Sequence, residues 1–178
     1  MQIAKTHSYR HAEAILDREF AREKADIEGV LKAVDFSRLP HPRQRKRNGR
    51  IVSTKFLSAD KTNKKLAEIF RAKDWEIAPR IISGSESELR ADAKSGKIQV
   101  EVQFGNMARW YTDVFKFLLS YSADDIEVGV LVVPMKATAD KLDENIAHYE
   151  RVVRELPHAK MGITIPIWVI GVSEEAKP

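Results

Sequence analysis

The chain has 178 residues, 43% of them apolar, which allows one substantial core and sits at the lower limit for two, so residues 1–178 are read as one domain. Without a single cysteine it excludes disulfides, thiolate zinc sites and a cysteine nucleophile, and it suits a reducing interior, with the cytoplasm as the expected compartment. The net charge of +4 tilts it only slightly toward nucleic acid, so the distribution of charge carries more information than its total.

The first residues, Met1 to Arg10, carry Lys5, His7 and Arg10 with no apolar run behind them, unlike a secretory signal. From His11 to Val34, the residues Ala14, Ile15, Phe20, Ile27, Val30, Leu31 and Val34 recur near the helical period and predict one long or broken amphipathic helix. Arg38, Arg43, Arg45, Lys46, Arg47 and Arg50 follow with His41 among them and no acidic residue to offset them. Pro40, Pro42 and Gly49 argue against helix there, so the strip reads as a cationic loop, either merely solvated or free to follow a phosphate chain.

Ser58 is placed to cap a helix running through Leu66, Ile69 and Phe70 to about Lys73. Arg80 to Ser83 reads as a short strand turned by Gly84. Leu89–Ala93 and Lys97–Phe104 read as two strands of a hairpin joined by Lys94, Ser95 and Gly96. In the second, Ile98, Val100, Val102 and Phe104 alternate with Gln99, Glu101 and Gln103, which puts Glu101 and Gln103 on one face. Met107 to Tyr121 shows helical spacing of Met107, Trp110, Tyr111, Val114, Phe117, Leu118 and Tyr121; Trp110, Tyr111, Phe115 and Phe117 could stack bases, but this spacing is more often that of core or dimer interface. A valine-rich strand at 126–133, a helix through Leu142, Ile146, Tyr149, Val153 and Leu156, and a strand at 163–170 complete the chain. Pro166 argues that the last strand lies at an edge or carries a bulge. The two longest apolar stretches, 126–135 and 163–172, fall short of the roughly 20 residues that span a bilayer. The order predicts a mixed sheet with helices on its faces.

Asp92 on one hairpin strand can meet Glu101 on the next, and two carboxylates at a strand edge suit Mg²⁺, which keeps several waters and accepts phosphate oxygens. The carbonyl of Val102 is a further candidate ligand. Such a set points to metal-assisted phosphodiester hydrolysis. The spacing is that of the Asp…Glu-x-Lys nuclease motif with Gln103 in the lysine position. On spacing alone, Glu101 and Gln103 equally describe the wet side of a half-buried strand. Lys94 or Lys97, beside Asp92, could supply the cation that Gln103 lacks; a solvated turn accounts for them as well. Glu86 and Glu88 are further candidate ligands or surface partners of Arg80 and Arg90. No zinc-protease spacing, nucleophile elbow, Walker loop or dinucleotide fingerprint occurs.

The wording around the motif goes further. E-V-Q-F-G-N at 101–106 resembles the E-V-Q-F signature of the BglII/BstYI type II restriction endonucleases, which also have glutamine in the lysine position and aspartate nine residues upstream. H-A-E-A-I-L at 11–16, I-E-V-G-V at 126–130 with V-P-M-K at 133–136, and H-Y-E at 148–150 resemble family stretches in the same order.

The resemblance implies an α/β restriction-endonuclease-like core of the PD-(D/E)xK type, a central mixed sheet flanked by helices. It implies a Mg²⁺-dependent homodimer that cuts double-stranded DNA at a GATC-centred six-base palindrome, leaves 5′-phosphate ends on four-base overhangs, and coexists with a cognate DNA methyltransferase. Carried over by position, Asp92, Glu101 and Gln103 are the catalytic set, with Asp92, Glu101 and the Val102 carbonyl on the metal. Gln103 has no cationic form and can only orient water or phosphate through hydrogen bonds. Arg43, Arg45, Lys46, Arg47, Arg50, Asn106 and Asn145 are the expected DNA contacts. The competing expectation is a non-catalytic or sequence-tolerant DNA-binding protein on the same core.

Overall fold

The structure is a computed structural model that describes residues 1–82 and 87–174. Its elements in order are β1 (Gln2–Tyr9), α1 (Ala12–Glu19), α2 (Ala21–Ala33), β2 (Arg38–Arg47), β3 (Arg50–Leu57), α3 (Ala59–Ala72), β4 (Glu76–Ile77), β5 (Ala93–Ser95), β6 (Ile98–Val102), α4 (Arg109–Ser122), β7 (Val128–Pro134), α5 (Lys136–Leu142), α6 (Tyr149–Glu155), a 3₁₀ turn (Leu156–Ala159) and β8 (Ile167–Ser173).

Six strands form one mixed sheet in the order β1-β8-β7-β6-β5-β4. The three middle strands, β6, β7 and β8, are parallel, and the flanking pairs are antiparallel. β7 is buried throughout and consists of apolar residues because both faces of the sheet are covered. Val128, Val130 and Val132 point into a core shared with α1, α2 and α3, whereas Leu131 and Val133 point into a second core with α4 and α6. The mixed sheet flanked by helices predicted from the order of elements is therefore the observed architecture.

Several elements differ from the sequence reading, each for a physical reason. The first helix breaks at Phe20, whose backbone (φ −134°, ψ 39°) separates α1 from α2. The basic strip is not a loop: β2 and β3 form a two-stranded ribbon closed at Asn48 and Gly49, both at positive φ, the geometry that an Asn-Gly hairpin turn requires. Ser58 does cap α3, its Oγ accepting from the Lys61 N–H at 3.4 Å. In place of the expected strand, the backbone of Arg80 makes an isolated bridge with Arg90, and Ser83, Gly84 and Glu86 lie outside the described residues. The hairpin of β5 and β6 turns at Gly96 and Lys97 rather than at Lys94, Ser95 and Gly96, with Gly96 at φ 52°, so its first strand is Ala93–Ser95 and not Leu89–Ala93.

The helix predicted through 142–156 is interrupted, because Asp143 ends α5 in an extended conformation and the following residues pair with the chain after β6. There the Met107 N–H donates to the Asn145 carbonyl (2.9 Å) and the Ala147 N–H to the Gly105 carbonyl (3.2 Å). Pro166 does not mark an edge: β8 lies inside the sheet between β1 and β7, with the proline just before its first residue, where a missing N–H costs no ladder bond. β1 went unread. It is an edge strand, largely exposed, so no apolar run announces it.

Candidate active site

Alternation along β6 decides what the site is made of. Ile98 and Val100 enter the core under α3, while Gln99, Glu101 and Gln103 turn toward α4. They do not form a wet face: Glu101 is 1% exposed and Gln103 6%. A buried carboxylate demands partners, and α4 supplies them. The apolar stripe of this helix, Trp110, Val114 and Phe117, fills the second core, and the residues between bring Asp113 and Lys116 over β6. Lys116 Nζ lies 2.7 Å from Glu101 Oε2 and 3.0 Å from Asp113 Oδ1. Gln99 Nε2 donates to the other Glu101 oxygen at 2.8 Å.

Gln103 has both ends of its amide engaged. Its Nε2 donates to Asp113 Oδ2 at 2.6 Å, and its Oε1 accepts from the Gly105 N–H at 2.9 Å. Asp92, just before β5, is fixed by the Val102 N–H, which donates to its Oδ2 at 2.6 Å. These groups border a cleft of about 630 Å³ whose walls include Asp92, Val102, Gln103, Arg109, Asp113 and Lys116. Asn63 of α3 also lines it, with a buried side-chain oxygen that has no hydrogen-bond partner.

The electrostatics are those of a carboxylate pair short of positive charge. Burial pushes the Glu101 carboxyl well above the ordinary range and nearby Asp92 pushes it the same way, against Lys116. Asp92 remains open to the cleft, and the protein around that cleft raises its carboxyl too, against the Val102 N–H and Lys116, which lower it. Burial pulls the Lys116 ammonium down, but Glu101 and Asp113 outweigh it and hold the group above its usual value. Among the described residues no group of three or more His, Cys, Asp or Glu side chains is arranged to hold a metal ion. The donors present are hard oxygens in a pair, a set that fits an ion completing its shell with water and phosphate oxygens.

Asp92, Glu101, Val102 and Gln103 are thus brought together. Lys94 and Lys97 are directed elsewhere, Lys94 to Asp125 and Lys97 to the carbonyl of Asp124. Glu88 and Arg90 line the cleft, while Glu86 lies outside the described residues. Asn106 and Asn145 are neighbours across the short bridge that joins Asn106 to Ile146; the Asn106 side chain accepts from the Ala108 N–H at 2.9 Å. Arg43, Lys46, Arg47 and Arg50 stand exposed on the ribbon. Arg45 pairs with Glu144, and Lys55 with Asp143 at 2.9 Å, so the ribbon is moored to the segment that carries Asn145. Sequence reading missed Asp113, Lys116, Arg109 and Asn63. The available signal was the spacing of Arg109, Asp113 and Lys116 along one side of an amphipathic helix, which is also how a solvated helix face reads.

Among the described residues no helix is long and apolar enough to cross a membrane. No curated protein sequence matches the chain. Among solved structures it is similar to restriction endonuclease BglII complexed with a DNA 16-mer, at 18% identity with a TM-score of 0.77, covering 100% of this chain and 79% of the other. It is likewise similar to free BglII, at 18% identity and a TM-score of 0.71, covering 100% and 82%. The profile of the family described as Restriction endonuclease BglII/BglIII matches residues 4–172. On that match, with the BglII-like sheet and the Asp92, Glu101 and Gln103 arrangement already described, the chain belongs to the BglII/BglIII restriction endonuclease family.

Proposed function

We propose that this chain is a type II restriction endonuclease that hydrolyses phosphodiester bonds of double-stranded DNA in the presence of Mg²⁺. The observation that carries the reading is the placement of Asp92, just before β5, on the wall of one polar cleft about 630 Å³ in volume, with Glu101 of β6 buried behind it and paired to Lys116 of the same wall. The ion would be held by Asp92, Glu101 and the Val102 carbonyl. Bound there, it would stabilise charge on the attacking and leaving oxygens of an in-line displacement.

The chain's own groups hold the geometry for that reaction. The Val102 N–H locks the Asp92 carboxylate, and Gln99 and Lys116 lock that of Glu101. Such preorganisation supplies most of the rate when the protein has little covalent chemistry to perform. Arg43, Lys46, Arg47 and Arg50 would neutralise backbone phosphates, Arg45 joining them if its pair with Glu144 opens, while Asn106 and Asn145 face the bases.

The cut site on this reading is a short palindrome, a GATC-centred six-base sequence, with 5′-phosphate ends. A two-fold site is met most simply by a two-fold protein, so the enzyme acts as a homodimer. Tyr111 and Phe115, one turn apart on α4 and 48% and 53% exposed, favour that helix as part of the contact. A methyltransferase that protects the same sequence is the functional partner.

The test is incubation with unmethylated plasmid in Mg²⁺ and in EDTA, with sequencing of the ends. Discrete, metal-dependent ends sharing a palindrome are expected. Asp92→Asn and Glu101→Gln should each abolish cutting while DNA binding in Ca²⁺ survives; normal turnover in either would remove the metal-site argument. Smeared products indicate a sequence-tolerant nuclease. Intact DNA, with binding unchanged by Asp92→Asn, indicates a non-catalytic binder.

A further inference from the structure

A nuclease site of this type ordinarily places a lysine two residues after the strand glutamate, and here that position is Gln103. An uncharged amide is the lesser half of the problem. The greater half is that Gln103 is held in place, with one N–H of its NH₂ on Asp113 and its oxygen on the Gly105 N–H, which leaves a single uncharged N–H. To reorient its amide onto a phosphate it would have to abandon a bond to a buried carboxylate, leaving that charge undersatisfied. The two lysines nearest Asp92 in sequence are tied to Asp125 and to the Asp124 backbone.

Lys116 stands where both alternatives fail. It comes from the middle of α4, a helix held rigidly by Phe117, which is buried against Gly129 of β7. The side chain is 14% exposed and lines the cleft with Asp92, Val102 and Asp113. Its ammonium bridges Glu101 and Asp113 at 2.7 and 3.0 Å. An ammonium has three donors, so two contacts leave one free. The other cations on the cleft wall, Arg90 and Arg109, are exposed residues, and Arg90 is turned to the Ala78 carbonyl.

We propose that Lys116 is the cation of this active site, standing in for the lysine absent at position 103 and donating to a non-bridging oxygen of the scissile phosphate, while Gln103 is a positioning residue that holds Asp113. The inference rests on the nuclease reading above. In the reaction one P–O bond forms to water as the bond to the 3′-oxygen breaks. The attacking water gives a proton to solvent and the departing oxygen takes one from solvent. Lys116 keeps its three protons throughout and acts through charge and hydrogen bonding alone.

The assignment predicts effects of opposite sign from one substitution. Lys116→Met removes a donor that acts in the transition state, so cleavage should fall by about 100-fold or more. It also removes the positive charge that offsets Glu101 and Asp113, so the DNA-free protein should bind Mn²⁺ several-fold more tightly by calorimetry. Lys116→Arg should return the metal affinity to the wild-type value. Gln103→Met should cost less cleavage than Lys116→Met. Thermal melting and DNA binding in Ca²⁺ verify that each variant is folded, and Lys116→Gln replaces Lys116→Met if that variant does not fold. Cleavage by Lys116→Met within about threefold of wild type overturns the assignment. So does equal loss in the Lys116 and Gln103 variants with Mn²⁺ affinity unchanged, the result expected of a merely structural lysine. If wild-type protein cuts no DNA in Mg²⁺, the nuclease reading itself fails and takes this one with it.

Discussion

Gly129→Ala tests whether the site is built by packing between β7 and α4, at a position that touches none of the site's carboxylates. A Cβ at Gly129 would lie 2.7, 2.8 and 2.9 Å from three ring carbons of Phe117. Carbon pairs rest near 3.5–4.0 Å, so the ring has to retreat by about 1 Å. Phe117 is 0% exposed and packed within the second core, so the ring cannot swing out to solvent and the displacement passes to α4. Lys116 adjoins Phe117 in sequence and Asp113 precedes it by one turn. Their bonds to Glu101 and Gln103 are 2.7 and 2.6 Å long, and a shift of about 1 Å away from β6 carries both past hydrogen-bond range. Overpacking of this kind costs about 1–3 kcal/mol. At roughly 2–4 °C per kcal/mol for a chain of this size, Tm should fall by about 2–12 °C. Misplacement by about 1 Å in a preorganised site costs on the order of 100-fold in rate. Calorimetric melting and a plasmid-cleavage time course measure the two effects on one preparation. A Tm within about 1 °C of wild type, with cutting unchanged, would show that β7 does not set the position of α4 and would refute the packing argument.

Two further outcomes follow from electrostatics. Burial and Asp92 raise the Glu101 carboxyl against Lys116, so the folded chain holds that proton more tightly than the unfolded one. The stabilisation is complete below the unfolded carboxylate value of about 4.3 and is lost as pH rises through the folded value. Glu101→Gln should therefore raise Tm at pH 7, with an advantage that shrinks toward pH 4; a lower Tm at pH 7 would mean that the ion pair with Lys116 outweighs burial. Neutralising Arg43 and Arg47 together should weaken binding to all DNA sequences alike and reduce the slope of log K against log salt by about 4, two contacts being lost from each protomer of the dimer, whereas lost sequence preference at full affinity would refute a phosphate-contact role.

What the sequence alone determined is local. Period-two alternation over 98–104 assigned Glu101 and Gln103 to one face, the spacing to Asp92 identified the carboxylate pair, and the E-V-Q-F-G-N wording with its collinear companions identified the family. Asn48-Gly49 between Arg47 and Arg50 was a legible hairpin signal, obscured by the prolines and charges before it. Other features had no local signature. β1 is recognisable as a strand only through its partner β8, because an edge strand with a mostly exposed surface needs no apolar pattern. The break at Asp143 exists because residues 145–147 bond to Gly105 and Met107, a contact between segments some forty residues apart. Whether the Glu101 face is wet or buried depends on what lies over it, and that was decided by α4. Phe117 and Trp110 dock the helix on the sheet, and docking brings Asp113 and Lys116 onto Glu101 and Gln103. Spacing along a strand can specify which carboxylates share a face; which cation meets them is a property of the neighbouring layer.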